Sequence, residues 1–323
     1  DALIGSSVGT SKKLVANSLS VNAAHTSKYG AQSDARSAGL VNASGAVADN
    51  RVDSSVVNAS IGADSKLQSM TSTDVVARNS FASLLDGAAI NAASGGALGM
   101  DAGGVTTVLN SASNAWIGDR VNLISGTSAG GGSNGNVRVL SATDALASDK
   151  AELSTGGLIR AATVSAKMDA NFTNNSSIGA SAVISAADNV SVGSYVHGNL
   201  YNDAIVNTWG LAAVGNASSS IDADVRENVS IGSGAKLSSG KSTFLTAGRA
   251  GATLEESALV LNSVAEGYVR GLVAVPIAKS RVNADVANTA TLASGAEVKA
   301  LGDVYIGAYG AEIARRHQRS MDR

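Results

Sequence analysis

The chain has no cysteine, which excludes disulfide staples, thiolate-held zinc, iron–sulfur clusters and thiol nucleophiles. It has one proline, Pro276, and aromatic residues make up 3% of its 323 positions. With the usual large fillers of a globular core so scarce, the 44% hydrophobic content must fill something narrow with Ala, Val, Leu and Ile. Charged residues reach 15%, against roughly 25% in ordinary domains. A formal net charge of −2 provides no global field to recruit nucleic acid or an anionic membrane. No apolar run is long enough for a membrane-spanning helix, and the many Val and Ile residues argue against disorder. The chain opens at Asp1 already inside its pattern, without signal-peptide architecture, and reads as a segment of something longer.

What the chain does have is repetition. One phrase recurs: "IGADSKL" from Ile61, "IGDRVNL" from Ile117, "IGASAVI" from Ile178, "IGSGAKL" from Ile231 and "LASGAEV" from Leu292. A stretched form, "IGSSVGTSKKL", starts at Ile4. From Ile4 to Leu292 the successive starts lie 57, 56, 61, 53 and 61 residues apart. A second phrase keeps the same frame: "GLIRAATVSAKMDANF" from Gly157, "GLAAVGNASSSIDADV" from Gly210 and "GLVAVPIAKSRVNADV" from Gly271, with Gly39 opening a looser copy. A near-fixed period of this size marks a stack of similar units rather than a list of separate domains.

Within a unit the period is two. Val282, Ala284, Val286, Asn288, Ala290 and Leu292 share one face, and Asn283, Asp285, Ala287 and Thr289 the other. Clusters of Gly, Asn, Asp and Ser interrupt the alternation and supply turns. Short strands recur at Leu19–Val21, Val75-Val76, Val137–Val139, Val190–Val192, Thr243–Leu245 and Val304–Ile306. The expected fold is all-β: a single-stranded parallel β-helix, or β-solenoid. Six degenerate repeats occupy residues 1–312, each of about 60 residues making three coils of about 20. Some sixteen coils at ~4.8 Å give a rod roughly 75–80 Å long. Ile231, Leu237, Leu245, Val286, Leu292, Val298 and Ile306 are the expected inward aliphatic columns. Residues 313–323, with Arg315, Arg316, Arg319 and Arg323, break the pattern and form a basic tail, a capping helix or the start of a further module.

The alternation of "GLVAV", "NADV", "IGSGAKL" and "GDVYIGA" resembles the stalks of large exported bacterial adhesins, of the filamentous-haemagglutinin-like and leukotoxin-type filamentous families. The resemblance covers roughly residues 1–312 and implies a right-handed parallel β-helix on the cell surface or secreted from the cell. It implies a structural or adhesive rod, not an enzyme, whose partners are other copies of itself along its sides or ends, or host glycans or proteins. The secretion domain of two-partner adhesins is not recognisable in the sequence. Alternatives are a subunit of a self-assembling fibre or sheath and, in another class, a β-helical polysaccharide lyase or hydrolase.

Candidate chemistry is thin, and no catalytic, cofactor or metal residue is assigned. The three histidines, His25, His197 and His317, are scattered and suggest no nucleophile–His–acid set. Asp222 and Asp224 point outward if Ile221, Ala223 and Val225 point in, and two carboxylates so spaced suit Ca²⁺ or acid–base chemistry. Asp285 recurs one unit later, about 14 Å away if three coils intervene, too far to share one ion. The simpler reading is a solvated charge ladder that discourages lateral pairing. The glycine-rich 128–136 stretch lacks the Gly-Lys-Ser/Thr ending of a phosphate loop and reads as a long turn. Asn-X-Ser/Thr at Asn42, Asn171, Asn189 and Asn228 is expected by chance in so Asn- and Ser-rich a chain. Trp116, Trp209, Phe244 and Tyr305 are candidates for stacking on sugars or on a neighbouring rod. Phe244 and Tyr305 fall at the same outward strand position; the alternative is local cover for small neighbours.

Overall fold

The computed structural model describes residues 1–9, 13–84, 89–126, 135–251 and 255–322, and of 315–322 the backbone alone. Eighteen strands run from Ala2–Ile4 to Glu312–Asp322, and no α-helix occurs among the described residues. They form one sheet, not closed into a barrel, whose strand pairs are parallel. Among the described residues, antiparallel contact is confined to two isolated bridges from Arg249, to Ser194 and to Glu256.

Register explains the repeated phrases. The strand Asn136–Ile178 runs beside Val190–Ile231 from Val137↔Val190 to Ile178↔Ile231, one repeat apart throughout. The second strand pairs in turn with Val273–Leu292, from Ala212↔Val273 to Ile231↔Leu292. Neighbouring layers are therefore a whole repeat apart, and the expected three coils per repeat is wrong. A sequence period tells how often a position returns, not how many circuits the chain makes in between. Uninterrupted strands of 43 and 42 residues leave room for one circuit only. Six repeats then stack to roughly 30 Å, at ~4.8 Å per layer.

Each layer follows the same path. In the fourth, residues 190–209 run out to a corner at Gly210-Leu211, and 212–231 return to the Ile-Gly turn, followed by the short strand Lys236–Ser239. Outgoing and return runs lie face to face: Ser219 Oγ donates to the Asn202 carbonyl at 3.0 Å, and Asn174 Nδ2 to the Tyr195 carbonyl at 2.7 Å.

The Ile-Gly phrase is a turn. Its isoleucine is buried at Ile61, Ile117, Ile178 and Ile231. Its glycine lets one turn sit on the next, since a Cβ at Gly179 would fall 2.5 Å from the Asp119 nitrogen and one at Gly232 2.6 Å from the Ala180 nitrogen. The fourth residue is left-handed in every repeat, from Ser7 (φ 60°) through Asp64, Arg120 and Ser181 to Gly234 and Gly295. The chain then dives inward at Leu67, Leu123, Ile184 and Leu237.

Alternation fills the interior with three apolar compartments. The one at the Ile-Gly end is aliphatic, the middle one holds Phe81, Met168 and Phe172, and the one at the corner is mostly alanine. Ile231, Leu237 and Leu245 are buried as expected. Val286 and Val298 are only partly covered, and Leu292 and Ile306 are 42% and 49% exposed, because their layer has a neighbour on one side only. The basic segment is not a helix: Glu312–Asp322 is a strand, parallel to Ala258–Arg270 from Ala258↔Glu312 to Tyr268↔Asp322.

Candidate functional site

The outward carboxylates are the first candidate. Asp222 and Asp224 point outward, with Ile221, Ala223 and Val225 buried beneath them. Asp285 is the direct parallel partner of Asp224, so the expected separation of three coils is overturned along with the coil count. Asp169, Asp222, Asp224 and Asp285 line one shallow groove with Asn171 and Asn283. Each carboxylate has a partner, Arg226 serving two of them. Lys167 Nζ lies 2.6 Å from Asp169, Arg226 bridges Asp224 at 2.8 Å and Asp285 at 2.9 Å, and Asn283 donates to Asp222 at 2.6 Å. No group of three or more His, Asp or Glu suited to a metal ion occurs among the described residues. The array balances charge between layers, which favours the ladder reading.

Beside it runs an asparagine ladder. Asn228 Nδ2 donates to Asn175 Oδ1 at 2.9 Å, Asn175 to Asn114 at 2.8 Å, Asn114 to Asn58 at 2.9 Å and Asn58 to Asp1 at 2.8 Å. The four Asn-X-Ser/Thr asparagines named above are likewise engaged: Asn228 here, Asn171 with Asn110, Asn189 with Asn136, and Asn42 with Arg160.

Phe244 and Tyr305 are parallel partners, and their rings stack 4.9 Å apart at an interplanar angle of 3°. Trp209 is half exposed and lies across Gly156, where a Cβ would fall 2.0 Å from its Nε1; Trp116 is partly buried. The glycine-rich turn falls largely on residues 127–134, outside the described ones, as does the side chain of His317.

Ser80, Asp144 and His197 are successive members of one outward column, the types a nucleophile–base–acid set needs. Their order and partners do not build one. Asp144 lies between the other two and pairs with Arg78 Nε at 3.2 Å, while His197 Nε2 makes its bond to the Glu256 carbonyl at 3.0 Å. His25 is 2.8 Å from Ser55 Oγ and 3.3 Å from Asn79 Oδ1.

The most perturbed groups are inside, where the sequence reading placed none. Polar rows separate the apolar compartments. In one, Thr143 Oγ1 donates to Asn174 Oδ1 at 2.8 Å, and Glu227, the layer partner of Asn174, accepts from Ser257 Oγ at 2.6 Å. Burial outweighs the Ser257, Asn288 and Val196 donors and raises the Glu227 carboxyl to about 7. Asp149, in the next row, is raised to about 6 by burial against one opposing hydroxyl, Thr107. Nearer the corner Asp101 and Arg160 form a fully buried pair at 3.6 Å. Burial pushes Asp101 up, but hydroxyls from Ser44, Ser94 and Thr155 and the Arg160 charge together hold it below the usual carboxylate range. Arg160 reaches Asn42, two layers away, by occupying the space over Gly99, where a Cβ would lie 1.4 Å from its Nη1. Their signal was available: each sits at an inward parity among apolar neighbours, as Glu227 does between Val225 and Val229. Comparison with protein-family models, with curated proteins and with solved structures finds no match to this chain.

Proposed function

We propose that the chain is a right-handed β-solenoid with one circuit per repeat, and that it is a rigid structural or adhesive segment of an extracellular or cell-surface protein, acting by association rather than by catalysis. The observation that carries this reading is the parallel register, constant from the strand Leu98–Ile117 through to Val273–Leu292, in which one layer pairs residue for residue with the next. Such a body leaves few backbone groups unpaired along its length and resists bending. The engagement of the outward carboxylates and of His197 with structural partners supports the same reading over a polysaccharide lyase. Self-assembly into a fibre or sheath is a variant of it, in which the partner is the chain itself.

The test is a pair of measurements on the purified chain. Negative-stain images are expected to show stiff particles, single or laterally bundled, and incubation with a panel of acidic and neutral polysaccharides to leave their chain lengths unchanged. Depolymerisation of any of them overturns the proposal.

A further inference from the structure

The outer surface of the return run, next to the corner, is unlike the rest of the molecule. Leu40, Leu158, Leu211 and Leu272 stand out at the corner, between 56% and 82% exposed. The first outward row beyond them is Val41, Leu98, Ile159, Ala212 and Val273, one from each of five layers in register. The next row is Ala43, Met100, Ala161, Val214 and Val275. The third, from Gly45 to Ile277, adds only Thr163 and Asn216 as polar side chains, so none of the three rows carries a charge. Charge enters at Lys279 and then at Asp49, Lys167 and Arg281 in the row after that. An apolar face of this kind marks an interaction site.

The geometry points to a second copy of this chain, packed side by side and antiparallel on this face; the inference rests on the proposed reading that the chain works by association. Three features select that occupant. First, five layers at ~4.8 Å by eight residues at ~3.3 Å give a flat footprint of roughly 600 Å², close to the ~800 Å² each partner contributes to a standard interface. Second, the knobs repeat at the layer spacing, so two such faces are commensurate, while a glycan would find hardly any hydrogen-bonding groups here. Third, the charges match. A two-fold axis along the strands through the middle layer sets the first layer of one copy against the fifth of the other, and each row against itself. Asp49 then faces Arg281, twice. Both are only loosely held within the chain, Asp49 by Arg51 at 3.9 Å and Arg281 by Asp222 at 4.0 Å. Lys279 faces Val47, and Lys167, which meets its own copy, already holds Asp169 at 2.6 Å. A parallel pair would mirror the rows and leave Asp49 and Arg281 without these partners.

Sedimentation velocity over a concentration series tests this. Wild type is expected to be dimeric at high concentration. Ile159→Glu, on the axis and 55% exposed, is expected to weaken association about 100-fold or more without lowering the monomer's melting temperature. Asp49→Arg and Arg281→Asp are each expected to weaken it about 10-fold, and the double variant to recover most of that. Because the chain has no cysteine, single cysteines report the geometry. Ile159→Cys is expected to cross-link to itself, and Val41→Cys to Val273→Cys but not to itself. Association that ignores Ile159→Glu, or self-cross-linking of Val41→Cys, overturns the inference. A monomer that still binds a glycan or cell surface overturns this interface and leaves the proposed structural or adhesive role standing. Cleavage of a polysaccharide overturns the proposed structural or adhesive role whatever the oligomeric state.

Discussion

At the Ile-Gly end of the inner layers Ile117, Leu123, Val139 and their counterparts are fully buried, and the asparagines of the ladder stand outside. At the glycine corner the order is reversed: Leu158 and Ile159 face solvent, while Asp101 and Arg160 lie fully buried. The difference follows from width. Beside the short strands the two runs are spread far enough to enclose branched aliphatics. Where they converge on Gly157 the filling is mostly alanine, such as Ala151, Ala162 and Ala166, with a few larger residues such as Leu153 and Val164 among them. Layers also approach closely there, since a Cβ on Gly157 would lie 1.8 Å from the Gly96 carbonyl oxygen. At the bend itself the apolar side chains of Leu158 and Ile159 turn out instead of in. Polar groups inside are tolerated because three hydroxyls and a guanidinium converge on one carboxylate.

The most drastic way to break this comparison is to make the same change at both ends. Leu123→Asp puts a carboxylate into a dry aliphatic compartment and is expected to cost at least about 4 kcal/mol or to prevent folding. Leu158→Asp, measured at concentrations where the chain is monomeric, is expected to change stability by no more than about 0.5 kcal/mol. Urea midpoints for the two variants decide it; a comparable loss in both would mean that the corner leucines are structural.

Next in size is the buried pair. Asp101→Ala leaves the Arg160 guanidinium enclosed without its counter-charge, at an expected cost of about 3–5 kcal/mol. Adding Arg160→Met is expected to recover most of that loss, because a buried pair replaced by apolar groups of similar volume is close to neutral. If the double variant is no more stable than Asp101→Ala alone, the hydroxyl network around Asp101, not its charge partner, sets the cost.

The interior acids sharpen the contrast further, since those in the polar rows between compartments lack what Asp101 has. Glu227 is raised from 4.5 to about 7, and Asp149 from 3.8 to about 6, both chiefly by burial. Their protonated forms fit the fold better, so their contribution is fully present below the unfolded values and lost as pH rises through 6 and 7. For Glu227 alone the shift corresponds to about 3 kcal/mol. Asp101, held low, acts oppositely and only at acidic pH: its contribution is lost as pH falls through its depressed value. The unfolding free energy is expected to be larger near pH 5 than near pH 8. Glu227→Gln should flatten that slope; a slope unchanged by it would show that Glu227 titrates normally.

Much of this was legible from residue order. Alternation put Ile231, Leu237 and Leu245 inside and Asp222 and Asp224 outside, and alignment of the last two repeats stacked Phe244 on Tyr305. The number of circuits was not legible. Recurrence at about 60 residues is the same for one wide circuit as for three narrow ones, and only pairing distinguishes them. The error carried straight into the Asp224–Asp285 spacing. The corner was not legible either: "GL" followed by "VAV" alternates acceptably on either side of a bend, and nothing local says that its leucine points out. The polar rows were missed for a different reason. Asn174, Glu227 and Asn288 share an inward parity across three repeats, but a polar residue at an inward position looks like a lapse in the pattern until its partner on the opposite run is known.

The smallest expected effect lies in the Ile-Gly turn itself, where the repeats differ at one position that must be left-handed. Gly234 and Gly295 occupy it without strain, whereas Ser181 holds φ at 56° with a Cβ. That conformation costs an ordinary residue roughly 1–2 kcal/mol. Ser181→Gly removes the strain but gives the unfolded chain more freedom, which returns about 0.4–1 kcal/mol. The Gly234 turn above it shows that the next layer accepts glycine at this place. The net expectation is a gain of less than about 1 kcal/mol, read as a melting temperature raised by a few degrees at most. Ser7→Gly, in a turn covered on one side only, is expected to gain no more than Ser181→Gly does. A fall in stability for Ser181→Gly would mean that the serine stiffens the turn more than its backbone strains it, and that stacking, not local conformation, decides which residues this column accepts.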